Sequence, residues 1–218
     1  MRSMNAEQVA TLRALLAPTG WLDRTSAFAH ALRRSVRTPS GLLIIGPAEE
    51  EPWHMTAHLA DESNYAGIPE LAPTLVRWAP EPDAPPHLAV GLSRLAAATP
   101  EETLLVVSRG VAPDRLLERV DDVRRSGATI FALDEDDPEL DGLAHESLQV
   151  SPGTAPISFE AAQHLVTAAA GEEGSGPGRL GAVLQQAAAA GEPATRAGRS
   201  MRARLARLLD AVSGTPED

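Results

Sequence analysis

The chain has 218 residues, of which 30 are acidic and 19 are arginine; the formal net charge is -11, and neither lysine nor cysteine occurs. A surface this acidic repels phosphate backbones and anionic lipids, which argues against a nucleic acid or a membrane as partner. The missing residue types exclude disulfides, thiol nucleophiles, cysteine metal sites, Schiff-base lysines and the lysine of a Walker phosphate loop.

The first 40 residues predict two helices that pack on the core of the protein. Apolar residues recur at helical spacing over residues 5–17, and a second helix is predicted over 21–36, after the break at Pro18 and Gly20. The chain opens without an apolar leader, and no apolar run reaches the roughly 20 residues that cross a bilayer. We therefore expect a cytoplasmic protein.

Apolar runs typical of buried strands are spaced through the middle of the chain, and helix-like sequence separates them. Buried strands connected in this way cover both of their faces by forming a parallel α/β sheet. The predicted strands cover residues 42–46, 74–78, 103–108, 129–133 and, as a short fifth strand, 148–150.

Four helices are predicted within the α/β domain, which spans residues 41–170. They cover residues 50–65, 87–98, 113–126 and 158–170.

Beyond the domain, residues 171–178 have the composition of a linker, and residues 179–218 are predicted to form a helical extension. Residues 199–212 combine an apolar stripe with arginines, and such a helix requires a partner surface on its own domain or on a second copy.

Three strings resemble the sugar isomerase (SIS) domain of phosphosugar isomerases and their regulatory relatives. They are Gly-Leu-Leu-Ile-Ile-Gly at 41–46, Leu-Leu-Val-Val-Ser-Arg-Gly at 104–110 and Gly-Ala-Thr-Ile-Phe-Ala-Leu at 127–133. The resemblance implies a single three-layer, flavodoxin-like domain with a five-stranded parallel sheet in the order 2-1-3-4-5. It also implies binding of a carbohydrate derivative by the loops that follow the first and third strands.

Carried over to this chain, the resemblance assigns ligand binding to Gly46, Ser108, Arg109 and Gly110. The chain departs from the family at both loops, because Glu49, Glu50 and Glu51 follow Gly46 and only one hydroxyl, that of Ser108, follows the third strand. We expect an entrance too negative and too poor in hydroxyls to grip a phosphate firmly. The leading hypothesis is a degenerate SIS-type domain that binds a sugar-phosphate-like or other small polar metabolite and serves a regulatory, non-catalytic role.

A second string, His-Met-Thr-Ala-His-Leu at 54–59, looks like the His-Phe-Ala-Ala-Glu-Leu string of metal-dependent phosphoheptose isomerases. His54 and His58 share a helix face and could hold a divalent metal such as zinc. The resemblance then implies an alternative function, a metal-assisted aldose–ketose isomerase in which His58, His164 or Glu51 moves protons. The plainer interpretation of the pair is a solvated or hydrogen-bonded helix face.

A third hypothesis is a purely structural protein, a homo-dimer or higher homo-oligomer that buries helices 158–170 and 199–212 against a second copy. The acidic run Asp134–Asp137 could hold a hard cation, although such runs are more often solvated loops. No Gly-x-Ser-x-Gly elbow surrounds Ser108 and no dinucleotide-binding fingerprint is present, which argues against a hydrolase and a nicotinamide enzyme.

Overall fold

Helices and strands alternate along the computed structural model, which describes Leu16 and residues 19–171. The strands are β1 (Leu42–Ile45), β2 (Pro73–Leu75), β3 (Thr103–Ser108), β4 (Thr129–Asp134) and β5 (Glu146–Gln149). The α-helices are α1 (Trp21–Ser35), α2 (Trp53–Ala66), α3 (Ser93–Ala96), α4 (Asp114–Arg125), α5 (Pro138–Leu143) and α6 (Phe159–Ala170), with 3-10 turns at Pro69–Leu71 and Pro86–Leu88.

All five strands are parallel and lie in the order β2-β1-β3-β4-β5. The predicted fold class and strand order are therefore confirmed. Because the strands run in parallel, the loops that follow β1, β3 and β4 all leave from the same edge of the sheet, which is the edge where open α/β sheets bind ligands.

Two apolar layers cover the sheet, because alternate residues of each strand face opposite sides. Leu42 and Ile44 of β1 join the cluster formed with α1, α2 and α6, whereas Leu43 and Ile45 join the cluster formed with α4 and α5. Every residue of β1 and β3 is buried. This double coverage explains why both strands read as continuous apolar runs rather than as alternating ones.

The predicted helix over 87–98 is wrong, since this stretch holds only the turn Pro86–Leu88 and the single turn α3. Between these two turns, the chain pairs with the residues that follow β2. The backbone N–H of Arg77 donates to the carbonyl of Val90 at 2.9 Å, and Arg77 forms a parallel bridge with Gly91. Tertiary pairing has overridden the local helical pattern here.

Helix α5 begins directly after the acidic run Asp134–Asp137, for which a solvated loop was the plainer prediction. Asp137 caps it, because one of its carboxylate oxygens accepts hydrogen bonds from the backbone N–H groups of Glu139 at 3.0 Å and Leu140 at 3.2 Å. Pro138 fits the first helical position, which needs no N–H. The aspartates and the proline, which are residues typical of loops, thus start a helix here.

Several predictions concern segments outside the described residues: the helix over 5–17 apart from Leu16, the linker 171–178 apart from Gly171, and the extension 179–218. Within the described part of the chain, no helix combines the length and the apolar character that a bilayer span requires.

Candidate metal centre and the adjoining sheet edge

Three histidine rings converge where α2 packs against α6. His54 and His58 lie one turn apart on α2, and His164 lies on α6. The ring centroids are 4.5 Å apart for His54 and His58, 4.8 Å for His54 and His164, and 4.6 Å for His58 and His164. One ligand nitrogen from each ring lies within 4.8 Å of the others. The sequence paired the first two histidines by spacing, and the fold adds the third.

Local sequence explains why these rings meet. On α2, Met55 and Leu59 are fully buried against the sheet. The two histidines each precede one of these residues, and this places their rings on the side of α2 that faces α6. On α6, Ala161 and Ala162 are also fully buried, and small side chains let two helices approach closely. His164 is only 8% exposed, so its ring lies between the two helices rather than in solvent.

Glu160 extends the cluster through His54. Its Oε1 lies 3.4 Å from Nδ1 of His54, while Nε2 of His54 lies 2.8 Å from Nε2 of His58. A carboxylate at Nδ1 favours the tautomer that keeps the proton on that nitrogen, and the lone pair then sits on Nε2. His54 consequently presents Nε2 toward His58, as a metal ligand oriented by a carboxylate would.

The three imidazoles fit a divalent transition metal. Zinc binds histidine nitrogen at about 2.0–2.1 Å, which places tetrahedral nitrogens roughly 3.4 Å from one another. The observed separations lie on either side of this value, so small side-chain rotations would complete the set. Three protein ligands leave a fourth position open, which is the arrangement of reactive rather than structural zinc sites.

Glu51, predicted to move protons, is engaged elsewhere. One of its carboxylate oxygens accepts from Nε of Arg77 at 2.9 Å, and the other accepts from the backbone N–H of Trp78 at 3.0 Å. The side chain is only 9% exposed. Glu51 thus connects the start of α2 to the end of β2, and the structure does not include it in the histidine cluster.

Gly46, predicted to bind ligand, lies where two loops approach closely. A Cβ at this position would lie 2.6 Å from the carbonyl oxygen of Val107 and 2.9 Å from Cδ of Pro52. Its own carbonyl accepts a hydrogen bond from Nε1 of Trp78 at 2.8 Å. The loop after β1 is therefore closely packed.

Ser108, predicted to hold phosphate, is fully buried, and its Oγ has no hydrogen-bond partner among the described residues. It belongs to the same face of β3 as Leu104 and Val106, which is covered by α4 and α5. The histidines lie with α2 and α6 on the other side of the sheet. The buried hydroxyl and the histidine cluster therefore lie on opposite sides of the sheet.

The three glutamates after Gly46 are each paired with an arginine. We call these six residues the arginine rim: Glu49 with Arg115, Glu50 with Arg109 at 3.6 Å, and Glu51 with Arg77 at 2.9 Å. Hydrogen bonds from its own backbone, and then from Arg115, lower the pKa of Glu49, so it is ionised at neutral pH. The predicted excess of negative charge at this entrance is wrong, because every carboxylate of the rim faces a guanidinium.

Each arginine of the rim also lies over an aromatic ring. Arg77 lies 4.5 Å from the centroid of Trp53, Arg109 lies 5.5 Å from that of Phe159, and Arg115 lies 4.9 Å from that of Trp78. Cation–π contacts of this kind restrict the guanidinium to one orientation. Arg109, a predicted ligand residue, thus lies beside α6. Gly110, also predicted to bind ligand, follows it in the left-handed conformation at φ 68°.

Two aspartates of the acidic run at the end of β4 accept hydrogen bonds from backbone N–H groups. Asp137 is buried and accepts a hydrogen bond from the N–H of Ala112 at 2.6 Å, while Oδ1 of Asp134 accepts from the N–H of Asp137 at 2.9 Å. Over Leu16 and residues 19–171, the histidine cluster is the one group of three or more His, Asp or Glu side chains close enough to share an ion. The run therefore lacks the convergence that a hard cation needs.

Sequence reasoning missed Glu160 as the partner of His54, and it missed Arg77 and Arg115 as partners of the glutamates. For Glu160 a signal existed, because it lies one helical turn before His164 and so shares a face with it. For the two arginines there was none, since Arg77 follows β2 and Arg115 lies on α4, far from the glutamates in sequence.

No protein-family model matches the chain, and no curated protein matches it significantly. Among solved structures, the sugar isomerase domain of an RpiR transcription factor from Sphaerobacter thermophilus is 17% identical, with a TM-score of 0.48 over 82% of this chain and 95% of that one. A protein from Silicibacter pomeroyi named as a phosphosugar isomerase is 20% identical, with a TM-score of 0.46 over 84% of this chain and 53% of that one.

A third structure, from Listeria monocytogenes and named as a sugar-phosphate isomerase, is 14% identical, with a TM-score of 0.40 over 73% of this chain and 76% of that one. The similar structures are thus proteins of the sugar isomerase type. Their identities and TM-scores are too low to carry an argument about activity. The fold class depends on the strand order of the chain itself.

Proposed function

We propose that this protein is a degenerate SIS-type domain that binds a small polar metabolite through a divalent metal ion held by His54, His58 and His164. The observation that carries the proposal is the convergence of three imidazoles, with ligand nitrogens within 4.8 Å of one another. The role is that of a binding, regulatory domain, and zinc is the metal that the ligand set favours.

The surroundings of the cluster support this assignment. His54 lies in the first turn of α2, and Glu160 lies in the first turn of α6, so both helices begin beside the cluster at the carboxyl edge of the sheet. Ligands of open α/β folds bind at this edge. A bound divalent ion with three histidine ligands offers its open position to an oxygen donor, such as a hydroxyl or a carbonyl of the metabolite.

The second candidate function is a metal-assisted aldose–ketose isomerase. The open coordination position of a three-histidine site favours it, since that is the arrangement of catalytic zinc centres. Within the part of the chain that the structure describes, however, the residues predicted to move protons are engaged in other contacts. Glu51 accepts hydrogen bonds from Arg77 and Trp78, and His164 belongs to the metal-ligand set. We therefore place binding before catalysis.

Zinc titration of the chelator-treated protein tests the proposal, with isothermal calorimetry and metal analysis as readouts. We expect one zinc ion per chain. Alanine at His54, His58 or His164 should weaken binding by more than about 100-fold, which exceeds the loss caused by removing a group that only orients a ligand. His87→Ala is the matched control, because His87 is exposed and lies outside the cluster.

Absence of zinc binding, or binding that survives all three cluster substitutions, would contradict the proposal. Replacement of zinc by cobalt adds a spectroscopic readout, since the d–d absorption of cobalt reports tetrahedral nitrogen ligation directly. The isomerase alternative is tested separately by incubating the metal-loaded protein with aldose phosphates in deuterated water. Deuterium incorporated beside the carbonyl would favour it over pure binding.

The structural-dimer hypothesis remains a prediction with a simple test. Light scattering on the full chain and on a chain ending at Gly171 measures the mass of each. A dimer that becomes a monomer on truncation would support the role predicted for residues 199–212, and a monomeric full chain would remove it.

A further inference from the structure

Arg109 of the arginine rim and His54 of the histidine cluster both contact the first turn of α6. The guanidinium of Arg109 lies over the ring of Phe159, the first residue of α6. The next residue, Glu160, contacts His54 at 3.4 Å. Arg109 and the carboxylate of Glu50 that faces it thus lie near the same end of α6 as the histidine cluster.

Arginine is the side chain best suited to bind phosphate, because its planar fork donates two parallel hydrogen bonds to an anion. In this chain a carboxylate already faces each of two guanidinium groups, with Oε1 of Glu50 lying 3.6 Å from Nε of Arg109 and Glu49 pairing with Arg115. All four side chains are accessible, with 48% of Arg109 and 57% of Glu50 exposed. The chain thus supplies its own carboxylates at the positions that an external anion would take.

From this arrangement we infer that Glu49 and Glu50 are specificity-determining residues that exclude phosphorylated ligands and select a non-phosphorylated hydroxy-carbonyl compound. The inference rests on the proposed function and names the ligand class of the same site. A phosphoryl group that displaced Glu50 from Arg109 would still lie beside that carboxylate, and like charges side by side disfavour the complex. The hydroxyl of Ser108 cannot compensate, since it is fully buried.

The rim is well suited to a neutral ligand. Hydroxyl groups both donate and accept hydrogen bonds, so a polyhydroxylated chain can donate to Glu50 and accept from Arg109 without breaking the ion pair. Neither residue then loses its partner. Binding next to the paired rim therefore costs little free energy for a neutral sugar-like compound. It costs much more for the phosphate ester of that compound.

Inorganic phosphate and the metal-free protein test this inference independently of the metal. We expect weak or undetectable phosphate binding by the chelator-treated wild type in isothermal titration calorimetry. The double variant Glu49→Gln with Glu50→Gln frees both guanidinium groups while leaving side chains of the same size. Its phosphate affinity should rise by about tenfold or more, as gaining charge-assisted hydrogen bonds implies.

The matched control is Glu81→Gln with Glu101→Gln, which changes the net charge equally at two exposed positions away from the rim. Addition of Arg109→Gln to the Glu49→Gln, Glu50→Gln variant should remove the gained affinity and so identify the guanidinium as the binding group. Circular dichroism verifies the fold of each variant. Should one fail to fold, the single variant Glu50→Gln, at a half-exposed side chain, replaces it with the same expected direction.

Tight phosphate binding by the wild type would overturn the inference, as would a double variant that binds phosphate no better than the control. Zinc affinity is measured in parallel on every variant and should be unchanged by the rim substitutions. A failure of the charge exclusion therefore leaves the zinc result standing, and a failure of zinc binding leaves the phosphate result interpretable.

Discussion

Ser108 and Asp134 are register partners at the ends of β3 and β4, and both are fully buried. Oγ of Ser108 and Oδ2 of Asp134 each have no hydrogen-bond partner within the described part of the chain. Burial, reinforced by the neighbouring Asp137, Asp141 and Asp136, raises the pKa of Asp134 to about 6, although the N–H of Asp137 opposes the shift. The ends of two central strands therefore hold a carboxyl group that destabilises the fold when it is charged.

We predict that Asp134→Asn stabilises the protein at neutral pH. An acid whose pKa is higher in the folded than in the unfolded chain reduces stability as the pH rises from its unfolded value, 3.8, through its folded value, about 6. The full cost above that window is on the order of 2–3 kcal/mol. Urea denaturation at a series of pH values measures it.

In Asp134→Asn this decline in stability between pH 3.8 and about 6 should disappear. Asp83→Asn, at an exposed position, provides the control and should leave the pH profile unchanged. A variant that is less stable than the wild type at pH 7 would show that the carboxylate has a partner that the structure does not reveal.

Glu160→Gln should weaken zinc binding without unfolding the protein. The glutamine keeps the size of the side chain but loses the charge that orients His54, and removal of such groups typically costs 10–100-fold in metal affinity. Competition with a chromophoric chelator measures the change. Glu139→Gln, also in the first turn of a helix, is the comparison. Equal zinc affinity in both variants would show that the contact of Glu160 with His54 has no orienting role.

Gly46→Ala should destabilise the protein by about 1–3 kcal/mol, because the new methyl group overlaps the carbonyl of Val107 in a packed region. Gly142→Ala is the matched control. It lies in α5 with nothing within 4 Å of the added atom, and alanine there should stabilise by about 0.5–1 kcal/mol. Thermal melts of the two variants should shift in opposite directions, and equal shifts would contradict the close approach at Gly46.

Asp137→Ala should be the most damaging of the substitutions in the acidic run. It removes the cap of α5 and leaves the buried N–H of Ala112 without its acceptor, for a combined loss of about 2–4 kcal/mol. Asp137→Asn retains an acceptor oxygen and should lose less. Denaturant titrations of both variants test this ranking, and equal losses would mean that capping contributes little.

The sheet could be predicted because its information is local. The strands β3 and β4 are apolar over their whole length, and only a position covered on both faces tolerates such runs. The error at 87–98 has the opposite origin. The pairing of Arg77 with Gly91 is a long-range contact, and neither residue carries a local mark of it. Hydrophobic periodicity indicates which residues are buried, but it does not indicate which strand or helix they pair or pack with.

The candidate site divides in the same way. The pairing of His54 with His58 could be predicted from their spacing, because residues four apart lie about one helical turn from each other. The pairing of Glu50 with Arg109 could not be predicted, since it joins two loops that meet only when β1 and β3 lie side by side. Opposite charges far apart in sequence add up in composition without showing that they neutralise each other in space. The overall acidity of the chain was therefore a poor guide to the potential at this edge.

The placement of two tryptophans gives this site its own optical signal. Trp53 contacts Arg77 and Trp78 contacts Arg115, so any molecule that rearranges the guanidinium groups changes the surroundings of an indole. Trp21, the third tryptophan, is buried on α1 and can be replaced by phenylalanine to lower the background. Intrinsic fluorescence can then screen compound collections for the natural ligand of the protein without a label.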